Sequence, residues 1–435
     1  MTPIDLAATR FSAIFVVALV VSVFVRLWLA RRQIAHVSAH RGAVPPVFAA
    51  RIGLPSHQKA ADYTVAKQRL GVVETIVDAI VLVALTLGGG LALVFRWTER
   101  IDVTPLWRDV LLLVAIAVVG AIVSLPFSWW QTFRIEERFG FNRTTMKLWL
   151  TDIVKGVLIA VVLGLPLIIL ALWLMRNAGA MWWLWVWLAW LAFQLLMLVL
   201  FPTVIAPLFN KFSPLPAGAA RERIEQLLAR CHFAARGLFV VDGSKRSGHG
   251  NAYFTGFGRA RRVVFFDTLL ARLAPEEVEA VLAHELGHFK LRHVAKRVAW
   301  SAVLSLVFLA LLAWLATTPW FYAGLGVPPD AIDVAMTRPG VALALFMLAL
   351  PVFTFVLSPI SALYSRKHEF EADAFASQNA SSIALTQALV KLYEDNAATL
   401  TPDPLHSAFY DSHPPAAIRI ARLEALGAQV APAPA

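Results

Sequence analysis

Residues 281–318 read VLAHELGHFKLRHVAKRVAWSAVLSLVFLALLAWLATT, and this run joins two patterns that belong in different solvents. Its first part sets His284 and His288 four apart with Glu285 next to the first. On a helix of 3.6 residues per turn, positions i and i+4 share a face, so both imidazoles reach one ion while Glu285 points at the open coordination position. Pro275, Glu276 and Glu277 form the first turn of that helix, with proline near its start and carboxylates at the positive end of the dipole. The spacing predicts a helix from about 275 to 293. The last part of the run, 298–318, is apolar enough to enter a bilayer. Lys290, Arg292, Lys296 and Arg297 stand between the two, too many charges for the histidine motif to lie in lipid. The run therefore predicts a hydrolytic metal helix at a membrane surface, leading directly into a span.

Composition agrees with the second pattern. Apolar residues make up 59% of the 435-residue chain and charged residues 15%, outside the range of soluble domains. Seven stretches, near 11–30, 73–95, 107–130, 153–175, 181–206, 298–318 and 340–362, can each span a hydrocarbon layer of about 30 Å, which takes roughly 20 helical residues. No small-residue cleavage site follows the first stretch, which runs into Arg31 and Arg32 and reads as a retained anchor. The expected fold is an all-α polytopic membrane protein of seven transmembrane helices, with a small α+β zinc metallopeptidase domain split by the last two spans. The parts are an N-terminal membrane region (1–206), a first catalytic half (207–297), spans six and seven (298–362), and a second catalytic half with a C-terminal tail (363–435).

Basic residues orient the chain. The loops 31–72 and 131–147 carry seven and four Lys or Arg, whereas 96–106 carries Arg96 and Arg100, 176–180 only Arg176 and 319–339 only Arg338. The basic side is expected in the cytoplasm together with both catalytic halves, in a bacterial inner membrane to judge by the Ala- and Arg-rich usage. The net charge of +11 (39 minus 28) then reflects this bias and attraction to anionic lipid, and no nucleic-acid partner is expected, since no basic patch belongs to a binding module. The sequence leaves the oligomeric state open.

A catalytic zinc ion takes three protein ligands and keeps a fourth position for water, commonly with two histidines and a glutamate. Within SALYSRKHEFEADAFA (361–376), Glu369 and Asp373 are four apart on a helix, so Glu369 completes the metal set while Asp373 fixes the tautomer of a ligating imidazole from behind. His368 and Glu371 are the rival ligands, and neither has an acid four residues later. One zinc ion per chain is expected. A transporter with structural zinc would need a closed four-ligand site, whereas three ligands and a carboxylate base are on offer. The segments AARGLFVVDG, GNAYFTGFGR and RRVVFFDTLL read as short strands, one of whose edges can pair with an extended peptide. His413, held before Pro414 and Pro415, can donate to an oxyanion. His249, His293 and His406 have no spacing argument and read as exposed or packing residues. Cys231, the single cysteine, reads as a packed thiol, and QVAPAPA at the end of the chain as a disordered tail that is no prenylation substrate.

Several runs together resemble the type I, zinc-dependent CAAX prenyl endopeptidases and their bacterial relatives, a family of polytopic membrane metallopeptidases. They are HELGH (284–288), HQKAADYTVAK (57–67), IEERFGFNRTT (135–145), FPTVIAPLFNKF (201–212), SKRSGHGNAYFTG (244–256), SRKHEFEAD (365–373) and SHPP (412–415). The resemblance implies zinc on His284, His288 and Glu369, Glu285 as general base, His413 as oxyanion or substrate contact, and Asn251 and Arg366 near the substrate. It also implies seven helices around a large intramembrane chamber, and a peptide or lipidated protein as substrate. The alternative activity is an intramembrane or quality-control protease acting on misfolded membrane proteins.

Overall fold

A computed structural model describes residues 3–233, 237–255 and 262–430 of the chain, so of the tail expected over 429–435, Gln429 and Val430 end a helix and 431–435 lie outside the described residues. Among these, six helices are long and apolar enough to cross a membrane: Ile4–Ala39, Pro105–Glu136, Met146–Asn177, Gly179–Phe209, His293–Leu315 and Pro339–Asn379. The helices Leu54–Leu85 and Gly90–Glu99, bent by 49° to each other, are long and apolar enough for a seventh span only when taken together. Here the expectation of one stretch over 73–95 is corrected. Gly88, Gly89 and Gly90 interrupt the helix, with Gly89 at φ 77°, a left-handed conformation open to glycine at little cost. The close packing also needs glycine, because a Cβ on Gly90 would stand 2.6 Å from the Ala84 carbonyl oxygen.

Ion pairs show which loops share an end. Arg32, in the last third of the helix Ile4–Ala39, pairs with Asp403, and the Ser56 hydroxyl likewise donates a hydrogen bond to Glu394, so these segments lie beside the second catalytic half. At the opposite end Asp109, fully buried, accepts from Arg338 and Arg176, Arg338 also pairs with Glu99, and Arg96 pairs with Asp330. The few basic residues of that end are thus mostly matched by acids.

The extramembrane part is built on a four-stranded sheet, among the described residues, of order β1-β2-β4-β3: β1 Phe212–Pro214, β2 Gly237–Val241, β3 Ala252–Thr255 and β4 Arg262–Phe266. Strands β2 and β4 pair in parallel, while β1 and β3 are antiparallel edges. Val263, Val264 and Phe265 of β4 are all buried, as expected of a strand covered on both faces. β1 was not foreseen, being only three residues long and ending in a proline.

The HELGH helix runs Pro275–Lys290, shorter than the expected 275–293, because Arg292 turns left-handed at φ 58° and a new helix begins at His293. The Glu277 carboxylate accepts from the Ala274 amide at 2.7 Å, satisfying one free N–H of the first turn. Val278, Leu282 and Leu286 are buried with Ile224 and Leu227 of the helix Ala219–Arg230 and with Leu385 and Leu389 of Ser382–Asp395. Each such side chain contributes about 1.5–3 kcal/mol by leaving water, so the motif is anchored by packing on several sides. Its closest neighbour is the helix Ser358–Asn379: a Cβ on Gly287 would lie 3.0 Å from Ala372 Cα. The glycine between the two histidines lets the backbones approach closely enough for carboxylates on one helix to meet imidazoles on the other.

Candidate metal centre

That approach brings His284, His288 and Glu369 together, their ligand atoms all within 4.8 Å of one another. His288 Nε2 is 3.2 Å from Glu369 Oε1, and His284 Nε2 is 3.5 Å from Glu369 Oε2. The rivals Glu371 and His368, on the same helix, meet His293 instead. Asp373, one turn after Glu369, faces the same way and lies 2.8 Å from His284 Nδ1. A neutral imidazole that donates Nδ1–H to this carboxylate leaves the Nε2 lone pair pointing into the cluster.

The cluster's chemistry fits a metal ion. Glu369 Oε2 is buried and makes no hydrogen bond, a costly arrangement for a carboxylate without a cation. The two Nε2 atoms face each other 3.2 Å apart, and their lone pairs repel unless something positive lies between. Two imidazole nitrogens and a carboxylate are also the donor set of an open catalytic zinc site.

Glu285 points into a cavity of about 550 Å³, whose wall includes Asn251, His284, Tyr393, His413 and Arg419. Burial pushes the Glu285 carboxyl above its ordinary range, against the pull of the neighbouring histidines, which suits a base working near neutrality. His413 is largely exposed, lines the same cavity and reaches Glu369 Oε2 at 3.5 Å. Asn251 lines the cavity and directly precedes β3, which is an edge strand among the described residues. Arg366 does not line this cavity. It donates to the Ser407 and Asp411 carbonyls at 2.8 and 3.4 Å, tying down the segment that leads to His413.

Sequence reasoning missed Arg419. Its guanidinium, 5% exposed, donates to both oxygens of Asp373 at 2.7 and 2.8 Å and packs against the His284 ring. Burial works against its charge, but the Asp373 carboxylate more than offsets this and holds the pKa above that of an ordinary arginine. A signal was present: on the helix Ala416–Val430, Arg419 shares the buried stripe of Ala416, Ile420 and Leu423, where a solvated arginine has no place. Also missed was the position of His293, which is fully buried beside His288. His249 stacks on Phe141, His406 tilts against Tyr410, and the buried Cys231 thiol reaches Asn379 at 3.4 Å, so these three pack as read.

Four of the longer sequence runs are joined by side-chain contacts. Tyr63 donates to Glu136 at 2.5 Å, Arg246 spans to Asp152 at 2.7 Å and Asn210 at 2.6 Å, and Asn396 accepts from the Gly250 amide at 3.1 Å. Arg246 thereby fastens the segment before β3 to the ends of two membrane helices, Asn396 ties the same segment to the helix Ser382–Asp395, and Tyr63 joins two membrane helices to each other.

Residues 33–211 match the family described as CAAX prenyl protease N-terminal, five membrane helices, and residues 214–426 match peptidase family M48. Among curated proteins, the CAAX prenyl protease 1 homolog of Oryza sativa is 38% identical over 315 residues, 72% of each chain. The CAAX prenyl protease 1 homolog of Homo sapiens is 30% identical over 462 residues, 95% of this chain and 96% of the other. Among solved structures, that of S. mikatae Ste24p superposes with a TM-score of 0.86 at 29% identity, covering 98% of this chain and 100% of that one.

Proposed function

We propose that this chain, which belongs to peptidase family M48 and is a multi-pass membrane metallopeptidase, is a zinc-dependent endopeptidase that cleaves C-terminal CAAX-type prenylated peptides or other membrane-associated peptides. The observation that carries the reading is the His284–His288–Glu369 cluster beside a cavity that His284 and Glu285 line together with Asn251 and Ala252 at the start of β3, an edge strand among the described residues. The relatives' names supply the substrate class. A lipid-bearing substrate also suits a site carried by a multi-pass membrane protein.

In this mechanism His284, His288 and Glu369 hold the zinc ion, which when bound acidifies water and polarises a peptide carbonyl. Glu285 takes the proton of the attacking water and passes it to the leaving amine. His413 donates to the oxyanion as the carbonyl carbon becomes tetrahedral, a contact whose removal costs about 10²–10³ in rate. Asn251 and the β3 edge hold the peptide extended, while Arg366 keeps the His413 segment in place. Asp373 and Arg419 keep His284 in the ligating tautomer.

The decisive assay compares a farnesylated CAAX peptide with its unprenylated counterpart on purified protein of known metal content. The expected result is one zinc per chain, chelator-sensitive release of the C-terminal tripeptide, and preference for the farnesylated peptide. Equal turnover of both peptides would remove the lipid requirement and favour the quality-control alternative.

The catalytic end is proposed to face the cytoplasm of a bacterial cell, because the loops sharing its end carry most of the basic residues. With Cys231 replaced, a cysteine at exposed Ala217 should resist a membrane-impermeant thiol reagent in intact cells, and one at exposed Pro329 should be labelled. The reverse pattern would place the site outside and exclude cytoplasmic lipidated substrates.

A further inference from the structure

The two imidazoles of the metal cluster are braced from behind in different ways. His284 Nδ1 meets a carboxylate, Asp373, directly. His288 Nδ1 meets no carboxylate; its neighbour, 3.0 Å away, is Nδ1 of His293. We infer that His293 is a positioning residue of the metal site, holding His288 in its ligating tautomer through a hydrogen-bonded chain that ends on Glu371. The inference rests on the reading that His284, His288 and Glu369 hold the metal.

Proton counting leaves one arrangement. His288 turns Nε2 toward His284 and Glu369, both at 3.2 Å, so the ligating lone pair is on Nε2 and the proton on Nδ1. That proton is donated to His293 Nδ1, which must therefore be an acceptor. His293 then carries its own proton on Nε2, 2.9 Å from Glu371 Oε2, and donates it there. The chain closes on a carboxylate that has Lys296 at 4.0 Å and Lys367 at 3.9 Å. Donors and acceptors match with none left over.

The backbone is shaped to make this contact. On an unbroken helix a residue five positions after His288 would lie about 140° around the axis, on another face. The left-handed turn at Arg292 ends the HELGH helix and returns the next residue to the His288 side. His293 is completely buried there, its ring stacked on His368 at 4.0 Å and 11°.

His293, His368 and Glu371 also have ligand atoms within 4.8 Å of one another, which raises the question of a second metal ion. The geometry speaks against it. Two rings stacked nearly parallel at 4.0 Å direct their in-plane lone pairs alongside each other, without convergence on a common point. Both nitrogens of His293 are, moreover, already committed.

The test uses the full-length protein in detergent, with zinc counted per chain and zinc affinity measured by chelator competition alongside kcat and KM. His293→Phe keeps the aromatic stack and deletes both hydrogen bonds. It should weaken zinc affinity about 10–100-fold, the usual effect of losing an outer partner of a ligand, and lower kcat with little change in KM. His293→Gln, whose amide can both accept and donate, should recover most of the affinity. Glu371→Gln keeps an acceptor at a partly exposed position and should cost less than the Phe change. Wild-type affinity in His293→Phe, or equal losses in the Phe and Gln variants, would reduce His293 to a packing residue. Two zinc ions in the wild type and one in His293→Phe would make the cluster a metal site and overturn the chain. His284→Ala is the separate control: if it kept zinc at full affinity, the ligand assignment itself would fall, whatever the His293 variants show.

Discussion

Glu285→Gln is expected to retain one zinc per chain and the wild-type unfolding temperature while losing about 10²–10⁴ in kcat, the contribution of a positioned general base. The amide has the size and polarity of the carboxyl but cannot take a proton from water. Glu285 lines the cavity and is not one of the three clustered ligand groups, so metal retention and turnover should separate at this residue. His284→Ala, His288→Ala and Glu369→Ala should instead lose the metal and, with it, the activity. If zinc left the Glu285→Gln protein as readily as it leaves those three, base and ligand would have been confused.

The second large effect is expected at Arg419. Arg419→Leu removes the cation from both oxygens of Asp373, which is itself 1% exposed, and leaves that carboxylate with His284 alone. Breaking one side of a buried ion pair costs about 3–5 kcal/mol, because the remaining charge cannot return to water. The variant should therefore unfold at a markedly lower temperature and bind zinc weakly, since an uncompensated Asp373 no longer holds the His284 ring in place. Lysine should not substitute well, as it cannot reproduce the two-pronged contact. The double variant Arg419→Leu/Asp373→Asn, which removes the stranded charge, should recover much of the stability but not the zinc affinity. Unchanged melting and zinc binding in the single variant would make Arg419 a bystander.

These two residues differ in how far the sequence revealed them. The place of Glu285 beside the two histidines was readable because it follows from spacing within five residues of one helix. The Glu369–Asp373 pair was readable for the same reason, and so were the membrane spans, whose apolar length is a local property. Arg419 was not assigned because its partner Asp373 is 46 residues away and its ring neighbour His284 is 135 away. Only its place on an apolar helix stripe hinted at burial. His293 was hidden by a single left-handed residue: extending the HELGH helix to 293 puts its ring on the wrong face. The break at Gly88–Gly90 was passed over because apolar content continues through it, although three consecutive glycines are a poor choice for a helix interior.

By itself, the sequence determined the candidate groups and the solvent of each part: a helix with two histidines four apart and a glutamate beside the first, an acid pair on a second helix, and apolar runs that need a bilayer. These follow from periodicities of a few residues, which any helix imposes on its own side chains. The tertiary structure alone decided which carboxylate braces which imidazole, that Arg419 compensates Asp373, and that Asp109 and Arg338, 229 residues apart, join at the far end of the helices. A buried charge or imidazole can be satisfied only by groups that the backbone brings within about 3 Å. Which groups those are depends on helix packing and on single backbone turns such as Arg292, and no local pattern carries that information.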